Sequence, residues 1–258
     1  MTADTTRHTL LPEHLVRMME LVRQSDSIEL KLTLPATSYR TAAKNLAIDP
    51  LEAQIRQVFF FDTPDLALDR AGVVVRSRRI QGRESDSTVK LRPVVPGDVP
   101  ERFRSSRQFV VEVDAMPGGY VCSGSMKHTL APKAVLPSVN GERPLRKLFS
   151  KEQRAFFSAC VPEGPALDDL SVLGPVFVLK LKLNPEGFSR RLVVEMWLYP
   201  DGSRVVELST KCLPGEGLAV ATEAREFLAA KGIEVSGDQQ TKTRTALEFF
   251  SAELAAEA

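Results

Sequence analysis

The sequence predicts an α+β domain: a closed or strongly curved antiparallel sheet of about eight strands that forms a tunnel, with helices around it. Three observations lead there. Charges recur at every second position in Glu29-Leu30-Lys31, Arg76-Ser77-Arg78, Lys90-Leu91-Arg92, Glu112-Val113-Asp114, Lys180-Leu181-Lys182 and Arg191-Leu192-Val193-Val194-Glu195. Side chains alternate faces along a strand, so each of these segments has one ionic and one largely apolar face. Most of the charges are Lys or Arg with a minority of carboxylates, whereas a purely solvated face tends to mix signs so that cross-strand neighbours pair. So many ionic faces are best accommodated when they share a wide, watered interior and the apolar faces pack outward under helices, the inverse of a small filled barrel. A dry interior would charge several kcal/mol for each unpaired cation.

The elements follow in order. Leu15, Met18, Met19 and Val22 recur at helical spacing after Pro12, predicting an amphipathic helix over about 12–24. A strand at about 27–34 and a helix from Thr37 to Leu46 come next. The strand Gln54 to Asp62 carries Phe59-Phe60-Phe61, apolar on both faces, and belongs well inside the sheet. Asp62-Thr63-Pro64-Asp65 is a turn, followed by a short helix to Ala71-Gly72. Strands at about 73–80 and 87–93 pair around the polar Gln81 to Ser87, and another runs from Gln108 to Asp114. Residues 115–175 hold many of the prolines and glycines and a helix from Pro144 to Phe157, and read as an insertion that covers the sheet. Its amphipathic helix suits a lid, a homodimer surface or a docking element for a partner. Strands resume at Val176 to Leu183, Ser189 to Tyr199 and Arg204 to Thr210, the last two joined by Pro200-Asp201-Gly202. Helices at about 216–231, closed by Gly232, and about 241–255 finish a single domain spanning 1–258.

Composition narrows the function. The chain has 34 basic and 33 acidic side chains among 258 residues, which argues against a general nucleic-acid or membrane-surface binder, so any polyanion site is local. Cys122, Cys160 and Cys212 are odd in number without CxxC spacing, indicating neither a disulfide framework nor a zinc site and pointing to the reducing cytoplasm. Met1 to Thr9 has no apolar core of a signal peptide, and no apolar run approaches the roughly 20 residues that span a bilayer. His8, His14 and His128 are scattered, and no GxxxxGK[ST], GxGxxG or GxSxG follows a strand. Trp197 and Tyr199 share the face of Glu195, where packing outweighs stacking on a nucleobase.

Lys31, Arg56, Arg76, Arg78, Lys90, Arg92, Lys180, Lys182 and Arg191 alternate in phase with apolar neighbours and can line one tunnel. Arginine offers a planar fork to phosphate and lysine a compact charge, so this set suits a triphosphate or nucleoside triphosphate. Arg76, Arg78, Lys90 and Arg92 lead it; Lys211 and Arg244 are weaker. Glu29, on the strand face of Lys31, and the pair Glu112 and Asp114 can bridge Mg²⁺ or Mn²⁺ or serve as counter-ions, with Glu195 and Glu207 as further candidates.

These residues resemble the CYTH superfamily of triphosphate tunnel enzymes, which includes class IV adenylate cyclases, thiamine triphosphatases and inorganic triphosphatases. Ile28-Glu29-Leu30-Lys31 looks like the tail of the opening E-x-E-x-K signature. Phe60-Phe61-Asp62-Thr63-Pro64-Asp65-Leu66 through Leu68, Ala71-Gly72 and Val75-Arg76-Ser77-Arg78 is similar to the block YFDTPDLxL…G…LRxR. Val89-Lys90-Leu91-Arg92, Val111-Glu112-Val113-Asp114, Val206-Glu207-Leu208 and Thr241-Lys242-Thr243-Arg244 support it, over roughly 27–114 and 176–250. The resemblance implies metal-dependent triphosphate chemistry with Glu29 and Lys31 catalytic and Lys242 among the phosphate ligands. Inorganic triphosphate hydrolysis leads, with cyclic AMP formation and non-catalytic phosphate binding as alternatives. Ser27 and Ser209 stand where the family has metal-binding glutamates, and a hydroxyl is a far poorer ligand for either ion.

Overall fold

The computed structural model describes residues 12–234 and 242–257. The readings made on Met1 to Thr9, His8 and Thr241 lie outside them. In chain order the elements are α1 (Pro12–Arg23), β1 (Ser27–Leu34), α2 (Tyr39–Asn45), β2 (Gln54–Asp62), α3 (Ala67–Arg70), β3 (Val73–Ile80), β4 (Ser85–Leu91), α4 (Glu101–Arg104), β5 (Phe109–Met116) and β6 (Gly119–Leu130). Then come α5 (Val135–Val139), α6 (Lys151–Cys160), β7 (Ser171–Leu183), β8 (Leu192–Leu198), β9 (Arg204–Cys212), α7 (Gly217–Ala230) and α8 (Lys242–Glu257). The strands close into a barrel of order β1-β5-β6-β4-β3-β2-β7-β8-β9, so each has two hydrogen-bonded neighbours.

The α+β tunnel expected from the charge alternation is present, with two corrections. Among the described residues there are nine strands rather than about eight, and the sheet is mixed, because β1 runs parallel to β5 with Glu29 beside Asp114. The additional strand is β6, which lies inside the stretch read as an insertion and pairs with both β4 and β5. Gly119, Ser123, Gly124 and Ser125 give β6 little strand propensity of its own; its partners impose the conformation. Gly124 also makes room for the Phe109 ring, which a Cβ would meet at 2.7 Å. The same stretch holds α5 and α6. Gln153 caps α6 through Ser150, then donates from Nε2 to the carbonyls of Ser87 (3.1 Å) and Met126 (2.9 Å), fastening α6 onto the outer face of β4 and β6.

The apolar faces point outward, as the alternation requires. Three clusters fill the space under the helices: Val89, Met126, Phe156 and Phe157 with their neighbours beneath α6, Leu32, Leu208, Phe227 and Leu228 beneath α7, and Val58, Phe60, Leu173, Leu247 and Phe250 beneath α8. Phe60 is wholly buried between β3 and β7, which places the Phe59-Phe60-Phe61 run inside the sheet as expected.

Strand directions give the tunnel two unlike ends. One holds the β3–β4 turn, the connection from β7 to β8 and the last residues of β9; the other holds the β5–β6 and β8–β9 turns and the close of β2. α8 crosses the second end, where Ser251 Oγ donates to the Pro64 carbonyl and Tyr199 Oη donates to the Lys242 carbonyl.

Candidate functional site

The tunnel encloses about 560 Å³ and is lined by twelve basic and five acidic side chains, an excess of seven positive charges in a chain whose net charge is +1. The positive field is therefore local to this cavity, and it marks the tunnel as a receptor for a polyanion. Of the predicted phosphate ligands, Lys31, Arg56, Arg76, Arg78, Lys90, Arg92, Lys180, Lys182 and Lys242 all line it. Arg191 does not. It precedes β8, is exposed, and stands at the mouth, because the alternation that put it in phase continues past the end of the strand.

The motif block has a structural cause as well as a chemical one. Asp62, almost fully buried, accepts from the backbone N–H groups of Thr63 (2.7 Å), Leu68 (2.8 Å) and Asp69 (3.0 Å), which folds the chain back through α3 into β3. Burial pushes its carboxyl up while those three donors pull it down. Gly72, at φ +73°, sits where a Cβ would collide with the Arg92 carbonyl, and the Arg92 N–H donates to the Gly72 carbonyl at 2.7 Å. This turn sets the depth at which Arg76 and Arg92 enter the tunnel.

Arg76 is the decisive side chain. It lies directly across the β3–β4 ladder from Thr88, makes no hydrogen bond or ion pair among the described residues, and is pushed down to about 10 by burial and by the neighbouring Arg78. Thr88 Oγ1, also buried in the lining, has no hydrogen-bond partner. A partly buried guanidinium beside a buried hydroxyl, both without a side-chain partner among the described residues, forms an incomplete anion cradle. Arg78, by contrast, is engaged by Asp86 through Nε (2.8 Å) and Nη2 (2.9 Å), and Lys127 reaches the same carboxylate at 3.4 Å. Arg56 is held by Gln54 Oε1 at 2.8 Å.

Carboxylates collect on the wall formed by β1, β5, β8 and β9, in two groups. Glu29, Glu112 and Asp114 bring oxygens within 4.8 Å of one another. Asp114, with a side-chain exposure of 0 %, lies 2.7 Å from Lys31 Nζ, 3.4 Å from Lys90 Nζ and 4.0 Å from Arg92. Burial alone would raise its carboxyl, but Lys31 and Lys90 hold it well below the usual range. Lys31 also pairs with Glu29 at 3.2 Å, and its ammonium is held above its ordinary value against the cost of burial, so it stays charged. Glu195 and Glu207, named earlier as metal candidates, form the other group. They face each other across β8–β9 and are spanned by Lys242, which lies 2.7 Å from Glu207; Lys180 takes the remaining Glu195 oxygen at 2.7 Å. These two are counter-ions to lysines here, whereas the first three present the hard oxygen set that suits Mg²⁺ or Mn²⁺.

The two serines that replace glutamates attend to that set. Ser209 Oγ donates to Glu29 at 3.0 Å, and Ser27 Oγ donates to Glu112 at 3.3 Å. Each orients a carboxylate instead of supplying one. Trp197, 2 % exposed, packs on Phe60 at 6.3 Å and donates to Glu195 at 3.3 Å, so packing is its role and its ring is not presented for stacking. Asp86 and Thr88 also line the tunnel, and their spacing in phase with Lys90 on β4 is a signal for them in the sequence; Lys127 lies on β6 opposite Thr88, where no such signal exists.

No family model and no curated protein matches the chain. Solved structures do. A candidate adenylate cyclase from Bacillus halodurans superposes with a TM-score of 0.59 at 14 % identity, over 85 % of this chain and 97 % of its own. A candidate adenylyl cyclase from Hippeastrum, described as having a dominant triphosphatase activity, superposes with a TM-score of 0.61 at 17 % identity, over 83 % and 92 %. The chain shares the fold of these two structures. At these identities the likeness is one of fold, and the chemistry lies in this chain's own side chains.

Lys90 gives that chemistry a pH signature. Burial depresses its ammonium to about 8, against the pull of Asp114 and with the help of Lys31, Arg92 and Arg76. Below about pH 8 it is charged, so metal-free triphosphate affinity is expected to be highest there and to fall as pH rises past that value. Calorimetric titration between pH 6.5 and 9.5 should show this decline in the wild type, and Lys90→Met should bind more weakly at low pH with a flatter profile.

Proposed function

We propose that the chain hydrolyses a triphosphate inside the tunnel with the help of Mg²⁺ or Mn²⁺. The observation that carries this reading is the partly buried Arg76, unpaired among the described residues, beside Thr88 within a cavity whose described lining holds seven excess positive charges. A site built only for stability would have paired that guanidinium. In hydrolysis, water adds to the terminal phosphorus, the bridging P–O bond breaks, and orthophosphate leaves together with the shortened phosphate. Arg76, Arg78 and Lys90 are suited to bind the phosphates, and Lys31, charged at all physiological pH values, to offset charge that grows on the bridging oxygen. Glu29, Glu112 and Asp114 would hold the divalent ion, which when bound neutralises phosphate charge and favours an ionised water. Ser27 and Ser209 keep two of those carboxylates aimed.

The Hippeastrum structure's described triphosphatase activity favours the same reaction. Cyclisation of ATP requires a site for the base, and the one tunnel-lining indole, Trp197, is already packed. Phosphate release from inorganic triphosphate and from ATP, with either ion present and with cyclic AMP monitored, tests the assignment. Metal-dependent orthophosphate from triphosphate without cyclic AMP is expected. Cyclic AMP as the main product from ATP would assign a cyclase, and tight binding without any turnover would assign a non-catalytic phosphate receptor.

A further inference from the structure

The tunnel's cations are unevenly distributed along its length. The β3–β4 turn, the connection from β7 to β8 and the end of β9 meet at one mouth, and there Arg83, Lys127, Lys182, Arg191 and Lys211 are all exposed. Lys127 and Lys211 are 55 % and 58 % exposed and are answered by Asp86 and Glu112. Arg83, Lys182 and Arg191 make no ion pair among the described residues. The opposite end, under α8, offers Thr33, Val74, Met116, Trp197 and Thr243 with Arg92.

A second cavity of about 630 Å³ opens off this mouth and shares Glu29, Lys180, Lys182 and Lys211 with the tunnel. It is an antechamber whose further lining includes Arg191, Ser189 and Thr210, and among the described residues no aromatic side chain lines it. A nucleobase or other flat organic group placed there would find nothing to stack on. An anionic group would find Lys182 and Arg191 without an ion pair among the described residues, whereas the hydroxyls of Ser189 and Thr210 are already donated to Glu223 and to the Arg191 carbonyl.

We propose that this antechamber sets substrate choice: a substrate enters phosphate first, and the part that stays outside the tunnel is itself a phosphate, bound by Lys182 and Arg191. The substrate class is then a linear inorganic phosphate of more than three units, in preference to a nucleoside triphosphate. The inference rests on the triphosphate reading above and extends it from the buried cradle to the mouth. Each exposed contact is modest, since ion pairs open to water contribute little individually. Two acting on one multiply charged phosphate are worth about a tenfold gain in affinity, or about 1.4 kcal/mol.

Equilibrium calorimetry without divalent metal separates this from catalysis. Titrating wild type and Lys182→Ala/Arg191→Ala with inorganic triphosphate, inorganic tetraphosphate and ATP should give tetraphosphate about tenfold tighter than triphosphate, and ATP weakest, in the wild type. In the double variant the advantage of tetraphosphate over triphosphate should shrink to about twofold or less. Both substitutions are at exposed positions, so the fold is retained, and circular dichroism checks it. Equal binding of the two phosphates by wild type, tighter binding of ATP, or an advantage that survives the double substitution would overturn the proposal. Failure of wild type to bind triphosphate at all would remove the underlying reading too, whereas binding without turnover would remove only hydrolysis.

Discussion

Arg76→Met is expected to weaken triphosphate binding by at least about 100-fold and to make the protein more stable. The two effects have one origin. The guanidinium is partly buried without a side-chain partner among the described residues, so the empty protein bears part of its desolvation and the filled site recovers it through charge-assisted bonds worth about 3 kcal/mol. Methionine keeps much of the volume and none of the charge, as in buried-charge replacements that stabilise by 1 kcal/mol or more. Because the tunnel opens to solvent, about 1 kcal/mol is the appropriate scale, a rise in melting temperature of roughly 2–4 °C for a chain of this size. Arg78→Met should do the opposite to stability, since it leaves Asp86 without its bidentate partner. Thermal denaturation of the two variants side by side checks the contrast; a destabilised Arg76→Met would mean that the guanidinium has a structural partner.

Asp114→Asn is expected to be the most destabilising conservative change in the tunnel, costing about 3 kcal/mol. Its carboxylate is fully buried and answers Lys31, Lys90 and Arg92 together, and removing one member of such a group leaves the others uncompensated. The sign of the pH dependence follows. A carboxyl held below its unfolded value of about 3.9 contributes stability that is complete above that value and is lost as pH falls through the folded one. Wild type should therefore lose stability below about pH 4 more steeply than Asp114→Asn, and denaturant unfolding at pH 7 and pH 3 should show the gap between them narrowing at the lower value. Mn²⁺ affinity should fall as well, because Asp114 is one of the three oxygen donors.

Much of this arrangement is readable from one chain, for a physical reason. Alternation with period two survives whatever the strands pair with, so the inward charged set on the strands, from Glu29 to Glu207, is legible without the sheet order, whereas Lys242, on α8, is reached only through the resemblance. Pairing itself leaves no such trace. Nothing in Glu29 or Asp114 announces that β1 and β5 run parallel, yet that neighbourhood creates the three-carboxylate cluster, just as the β8–β9 register sets Glu195 beside Glu207 under Lys242. β6 was hidden because glycine and serine let its neighbours dictate its shape, and Lys127 was hidden with it. Arg191 shows the limit of the same signal: phase persists beyond the strand, but depth in the tunnel does not, so Arg191 stands at the mouth. Ser27 and Ser209 looked like lost ligands in sequence, and only the structure shows their hydroxyls on the carboxylates that remain.

The most direct test of a tunnel that receives triphosphate on Arg76 is calorimetric titration of metal-free wild type and Arg76→Met with inorganic triphosphate at pH 7. One triphosphate per chain for wild type, with affinity reduced at least about 100-fold in a variant that melts no lower, is the expected result. Equal affinity in the two proteins, or no binding to wild type, would contradict it.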